Sequence, residues 1–147
     1  FVHNNLGSAQ KGTGDYQSAL MSYQKSTEIN PNYFIAYNNL GVTNFEMQEP
    51  DKAMENFEKV KAINKDYAFV YNNMGVVEFS RNKYKEAIEH FTKAIKHDED
   101  YGIAYLNRGM AKEMKGDIEG ACNDWNKAKE LKVTEAEDYL EDCKNIK

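Results

Sequence analysis

Apolar residues along the chain recur at steps of three and four residues, the spacing that puts side chains on one face of an α-helix. In one stretch this pattern predicts a first helix at about 34–47 and a second helix at about 50–62. Short polar segments rich in Gly, Asn, Asp and Pro separate such runs, as is typical of turns. The chain is therefore predicted to be all-α and built from helical hairpins.

The same hairpin pattern occurs four times with a constant period of 34 residues. Three columns keep this period: glycines Gly7, Gly41, Gly75 and Gly109; alanines Ala19, Ala53, Ala87 and Ala121; and rings Tyr23, Phe57, Phe91 and Trp125. A shared period indicates one supersecondary unit repeated, with neighbours stacked to bury a continuous core. The glycines fall in mid-helix, where Gly costs about 1 kcal/mol relative to Ala. We therefore expect two helix backbones to approach closely at each glycine.

The joint inside each hairpin carries residues that suit the end of one helix and the start of the next. Gly14-Asp15 and Gly116-Asp117 combine a residue that adopts the left-handed conformation with a capping carboxylate. Asn82 takes the place of the glycine in the third hairpin. Pro50 is suited to the first helical position of the second hairpin, where its missing N–H is not needed.

These columns resemble the signature of the tetratricopeptide repeat family. The family's Leu-Gly pair is matched by Leu6-Gly7, Leu40-Gly41, Met74-Gly75 and Arg108-Gly109, and its early aromatic position by Tyr37, Tyr71 and Tyr105. The first repeat departs from the family at that position, with His3. The resemblance implies an all-α fold, a right-handed α-solenoid superhelix of four helix-turn-helix hairpins at about 1–33, 34–67, 68–101 and 102–133.

One further helix is predicted at about 134–146. Thr134 is a candidate N-cap, and Glu137 three residues later would complete a capping box. Such a helix would be the solvating cap that a repeat array needs at its end. Because Phe1 already lies inside the repeat pattern, we expect residues 1–147 to be a single repeat domain and a fragment of a longer chain.

Composition and charge exclude several classes of partner. The hydrophobic fraction of 41% and charged fraction of 29% are ordinary for a globular domain. No run of about 18 apolar residues occurs, so membrane insertion is not predicted, and no signal-peptide pattern is visible. The net charge of −5, without a basic stripe, disfavours nucleic-acid binding.

The sequence predicts neither an enzyme nor a metal or cofactor site. His90 and His97 lie seven residues apart, roughly 10 Å along a helix, which is too far to share a metal. No Gly-rich phosphate loop and no hydrolase or metalloprotease motif occurs. Cys122 and Cys143 leave two alternatives open, a disulfide or two buried thiols. Arg108 interrupts an otherwise apolar column, and we expect it to pair with Asp124 rather than to bind an anion.

In the tetratricopeptide repeat family the first helices of successive repeats line a concave face, which the resemblance implies is the partner-binding site. Four columns share one helix face because steps of three and four residues separate them. Their candidate residues are Ile35, Phe69 and Ile103; Asn39, Asn73 and Asn107; Val42, Val76 and Met110; and Phe45 and Phe79.

Each kind of column has two interpretations. The Asn side chains offer amides to the backbone of an extended peptide, or they bond to their own helix or to a neighbouring one. The apolar residues form a groove for apolar side chains of a helix or strand, or they pack against one another in a tight superhelix.

The predicted function is a non-catalytic scaffold that binds a peptide or helix of a partner protein in the concave groove. One alternative is self-assembly into a homo-oligomer through the open first repeat or the groove. Another is a targeting or regulatory segment of a longer enzyme. The family's clamp for the C-terminal carboxylates of chaperones is not expected, because Asn4, Phe69 and Asn73 stand where that clamp has basic residues.

Overall fold

The structure is a computed structural model, and it describes residues 1–143. All regular elements in that range are α-helices, so the all-α prediction is confirmed. They are α1 Val2–Gly12, α2 Tyr16–Ile29, α3 Phe34–Glu46, α4 Pro50–Ile63, α5 Ala68–Ser80, α6 Tyr84–His97, α7 Gly102–Met114, α8 Ile118–Glu130 and α9 Ala136–Cys143. None of these helices is both long enough and apolar enough to cross a membrane.

The chain divides into two compact units. The first unit is Phe1–Val70, and the second begins at Tyr71, inside α5. The first unit thus holds the α1–α2 and α3–α4 hairpins, and the second unit holds the last two hairpins with α9. The single-domain organisation expected from the sequence stays a prediction.

The observed joints follow the predicted residues. The left-handed positions are Gly14 with φ 82°, Gln48 with φ 60°, Asn82 with φ 60° and Gly116 with φ 83°. Asp15 and Asp117 each accept a hydrogen bond from a main-chain N–H three residues later, at 3.1 and 3.0 Å. The second hairpin, predicted at 34–47 and 50–62, spans Phe34–Glu46 and Pro50–Ile63.

The glycine column makes room for rings rather than for a second helix backbone. A Cβ atom built on Gly41 would lie 2.4 Å from the ring of Phe57, and one on Gly109 would lie 2.3 Å from the indole of Trp125. The same contact occurs in the other two hairpins. The expectation of a backbone-to-backbone approach is therefore wrong, because each buried ring lies directly on the glycine of its own hairpin.

The last helix begins two residues later than predicted, at Ala136. Thr134 does not form the expected capping box, because its hydroxyl donates to Glu135 at 3.3 Å. The carboxylate of Glu137 instead pairs with Lys129 at 3.3 Å. Residues 144–146 of the predicted helix lie outside the described residues.

A ring contact and a covalent bond hold α9 on the last hairpin. The ring of Tyr139 stacks on the buried Trp125 with centroids 5.1 Å apart. Cys122 on α8 and Cys143 on α9 form a disulfide, with their Cα atoms 5.8 Å apart. Of the two alternatives for the cysteines, the structure has the disulfide.

Candidate functional site

The eleven predicted site residues all retain some solvent exposure. In the first unit they are Ile35, Asn39, Val42 and Phe45 on α3, and Phe69 at the start of α5. In the second unit they are Asn73, Val76 and Phe79 on α5, and Ile103, Asn107 and Met110 on α7. Phe69 and Ile103 are the most exposed, at 45% and 39%, and the others are half-buried.

The asparagine column is joined to a second asparagine column that the sequence analysis missed. Asn39 donates from Nδ2 to Oδ1 of Asn4 at 2.9 Å, and Asn107 donates in the same way to Asn72 at 2.9 Å. The acceptors are buried, with 6% exposure at Asn4 and 5% at Asn72. Asn39 and Asn107 therefore each use one side-chain N–H in a hydrogen bond between neighbouring hairpins. The adjacent Asn-Asn pair in each of the first three repeats is the sequence signal that could have revealed this second column.

Four of the predicted residues line a cavity in the second unit. Val76 and Phe79 on α5 and Asn107 and Met110 on α7 surround about 140 Å³, with Phe91 of α6 as the fifth lining residue. The wall is apolar apart from the Asn107 amide. Because Phe91 is 1% exposed and lies on Gly75, it gives the cavity a rigid side.

The predicted residues of the first unit lie beside polar and aromatic contacts. Lys11 and Glu46 form an ion pair at 2.9 Å between α1 and α3. Glu46 is the last residue of α3 and follows the predicted site residue Phe45. The Phe69 ring packs against Tyr67, with centroids 5.3 Å apart. Burial raises the pKa of the Tyr67 hydroxyl. Phe69, the most exposed of the predicted site residues in this unit, is thus partly engaged in packing.

The predicted pairing of Arg108 with Asp124 is confirmed. The guanidinium donates from Nε and from one terminal nitrogen to the two carboxylate oxygens, at 2.8 and 2.7 Å. Lys112 adds a second ion pair to Asp124 at 2.8 Å, and Thr92 accepts from Arg108 at 3.2 Å. A bidentate pair in a packed position accounts for the charge without an anionic ligand.

Lys112 belongs to a polar column that the sequence analysis also missed, at the last turn of each first helix. Gln10 begins this column and accepts from the Ser22 hydroxyl at 2.7 Å. Glu78 pairs with Arg81 at 3.4 Å. Asn44 is the remaining member, and it is 5% exposed. Residues 1–143 contain no group of three His, Cys, Asp or Glu side chains that could hold a metal ion.

Family models match three stretches of the chain, which together run from residue 13 to residue 101. Two models described as tetratricopeptide repeat match residues 35–67 and 68–101, and a third described as TPR repeat matches residues 13–48. The chain belongs to the tetratricopeptide repeat family. The matches include the α3–α4 and α5–α6 hairpins, so this tetratricopeptide repeat (TPR) assignment and the observed hairpins agree.

Solved structures similar to this TPR chain share its fold. The crystal structure of MamA is 24% identical with a TM-score of 0.79, covering 91% of this chain and 80% of that protein. MamA residues 41 to the end from Desulfovibrio magneticus RS-1 is 25% identical with a TM-score of 0.77, covering 88% and 73%. Pseudomonas aeruginosa pilF is 25% identical with a TM-score of 0.82, covering 88% of this chain but 60% of pilF. No curated protein matches the sequence.

Proposed function

We propose that this TPR chain is a non-catalytic scaffold whose second unit binds an apolar side chain of a partner peptide or helix between α5 and α7. The observation that carries the proposal is the apolar cavity of about 140 Å³ bounded by Val76, Phe79 and Met110. An apolar surface with a polar group at its edge suits a peptide side chain held in one orientation. The Asn107 amide supplies that polar group, since its second N–H and its carbonyl oxygen are outside its bond to Asn72.

The remaining candidates extend the proposed contact surface within each unit. Asn73 and Ile103 lie on the same two helices as the cavity. In the first unit, a separate surface offers the same kinds of side chain, namely Ile35, Asn39, Val42, Phe45 and Phe69. Membership of the TPR family supports a protein as the partner, and apolar side chains that remain exposed are typical of an interaction surface.

The test is a selection of peptides from a random displayed library, followed by fluorescence anisotropy with the selected peptide. Met110→Glu puts a carboxylate into the apolar cavity, and we expect it to weaken binding by about tenfold or more. The matched control is Met21→Glu, because Met21 is 70% exposed on α2 and is not one of the residues that line the cavity. Circular dichroism establishes that both variants are as helical as the parent.

Two results would contradict the proposal. Equal affinity of the parent and Met110→Glu would place the peptide elsewhere on the chain. A solution mass that rises with concentration, and that Met110→Glu returns to the monomer value, would mean that the cavity joins copies of the chain instead.

A further inference from the structure

A second and larger cavity lies in the first unit, in a trough whose walls are α2 and α4 and whose floor is α3. Its volume is about 380 Å³. The floor consists of Tyr37, Leu40 and Asn44 on α3. The walls are polar apart from Leu20, and their residues are Leu20, Gln24, Thr27, Glu49, Lys52, Glu55, Asn56 and Lys59. None of these residues belongs to the cavity between α5 and α7.

The trough is lined by an asparagine side chain that has no hydrogen-bond partner among residues 1–143. Asn44 is 5% exposed and lines the trough, and the structure of residues 1–143 gives its side chain no hydrogen bond. Asn56 on the α4 wall donates an N–H to the main-chain oxygen of Lys52 at 2.9 Å, so its carbonyl oxygen remains as an acceptor. The Asn44 amide atoms are not among the fully buried ones, so they open onto the trough, and a ligand that displaces water from them has to supply both a donor and an acceptor.

The second unit shows what fills the equivalent groove, 68 residues later in sequence. There Arg108 replaces Leu40, Lys112 replaces Asn44, and Asp124 replaces Asn56. Arg108 bonds Thr92 on α6 and Asp124 on α8, so one side chain bridges both walls. Leu40 has no polar atom with which to do the same, and the walls of the first trough are left unbridged.

The charges in the trough favour an uncharged ligand. Lys52 and Glu49 neutralise each other in an ion pair at 2.7 Å, and Glu55 and Lys59 contribute one charge of each sign. A charged ligand would lose hydration without meeting a net opposite charge. The Tyr37 ring is covered by the Lys59 ammonium, 5.5 Å from its centroid, so it is not open to stacking by a sugar ring.

The length of the trough suits an extended peptide. Its α4 wall runs from the N-cap Glu49 to Lys59, ten helical steps that span roughly 15 Å. Four or five extended residues cover about the same distance. A peptide main chain presents N–H and C=O groups along that length, which is the donor and acceptor pattern that Asn44 lacks.

We propose that the trough over α3 is a second binding site, separate from the cavity between α5 and α7, and that it takes an uncharged, extended peptide segment. Asn44, Asn56 and Gln24 hydrogen-bond its main chain, and Leu20 and Leu40 supply the apolar contacts. The chain would then hold two peptide segments, one recognised by an apolar side chain and the other by its backbone.

The test uses a probe that consists of peptide backbone alone, N-acetyl-tetraglycine amide, titrated into uniformly ¹⁵N-labelled protein. We expect saturable shifts of the side-chain NH₂ signals of Asn44, Asn56 and Gln24. The double variant Leu40→Arg, Asn56→Asp rebuilds the Arg–Asp bridge of the second unit, and it should abolish the shifts of the Asn44 and Gln24 signals, which it retains, while the protein stays folded. Asn44→Leu removes only the Asn44 amide, and it should weaken the probe's binding severalfold.

Several outcomes would overturn the proposal. Shifts confined to the signals of Asn107 and Val76 would assign the probe to the other cavity. Saturable binding of N-acetylglucosamine at Asn44, without binding of the peptide probe, would make the ligand a sugar. Unchanged binding by both variants would exclude the trough. The Met110→Glu variant separates the two proposals, because it should leave the trough signals and their response to the probe unaffected.

Discussion

The groove over α3 and the groove over α7 occupy equivalent positions in the two units, and four of the side chains that differ between them decide whether the walls are bridged. Over α7, Arg108 and Lys112 meet the buried carboxylate of Asp124, and Thr92 bonds the guanidinium. Over α3, the same positions hold a leucine and three amides, Leu40, Asn44, Asn56 and Gln24. The difference teaches that side-chain length and charge decide whether a repeat groove is filled, since both grooves are built on the same helical hairpin.

The strongest test of this comparison removes the acceptor of the filled groove. Asp124→Ala leaves two cations without their buried partner and should lower the free energy of unfolding by about 3–5 kcal/mol. The loss should lie near the lower end of this range, because the side chains of Arg108 and Lys112 are 16% and 20% exposed and water can solvate their charges in part. Its counterpart Asn56→Ala, at a half-buried amide, should cost less than about 1 kcal/mol. Urea unfolding of both variants measures the difference, and equal losses would contradict it.

The disulfide is a second difference between the units. It closes a loop between Cys122 and Cys143, with a sequence separation of 21 residues, inside the second unit. Cys143→Ser should therefore lower the free energy of unfolding by about 2–4 kcal/mol. Parent protein treated with a reductant should melt at the temperature of the variant. Amide hydrogen exchange should become faster at α8 and α9. An equal increase over the first unit would contradict a stabilisation by the disulfide that is confined to the second unit.

Transplanting the bridge into the first unit sharpens the comparison. Leu40→Arg alone puts a cation at a site that is 5% exposed, and Asn56→Asp alone puts a carboxylate opposite a leucine. Together they should favour each other by a coupling energy of about 1–3 kcal/mol, as neighbouring partners in one ion pair do. A double-mutant cycle of unfolding free energies measures this coupling. Additive effects would mean that Arg at position 40 and Asp at position 56 do not form the bridge without the other side chains of the second groove.

The smallest effect is expected at the joint of the first hairpin. Hydrogen bonds from the Ser18 side chain and from its main-chain N–H lower the pKa of Asp15 from its ordinary value of 3.8. A lowered pKa means that the cap stabilises the fold above that ordinary value and that this contribution is lost as the pH falls through the lower, folded-state pKa. Asp15→Ala should therefore melt slightly below the parent at neutral pH, and the gap should close in strong acid. If the two melting temperatures still differ in strong acid, Asp15 stabilises the protein by something other than its charged cap.

The hairpins were predictable from the sequence because their signals repeat. One glycine or alanine in a helical pattern says little, but Ala53 recurs in register in every hairpin, and the joints at Gly14 and Gly116 carry their own conformational preference. The contact made by each glycine was not predictable in the same way. A small residue signals that something lies close, and it does not say whether a backbone or a ring such as Phe57 fills the space.

The site was less predictable because it depends on side-chain partners in three dimensions. Periodicity identified Val76, Phe79, Asn107 and Met110 as neighbours on one surface, and the structure brings them to one cavity. The concave arrangement of all four columns stays a prediction. The trough over α3 was missed, because its key residue, Asn44, differs from each of its equivalents, and a column whose residues vary carries no periodic signal.

The seating of each ring on the glycine of its own hairpin has a consequence for how such chains can be rebuilt. Tyr23 contacts Gly7, and Trp125 contacts Gly109, so both residues of each contact lie within one 34-residue repeat. A hairpin exchanged as a whole would bring its own matched pair, even where one parent has an indole and the other a phenol. Crossovers placed between the glycine and the ring would separate partners of different size. Recombination should therefore succeed at the polar turns between hairpins and fail at the joints within them.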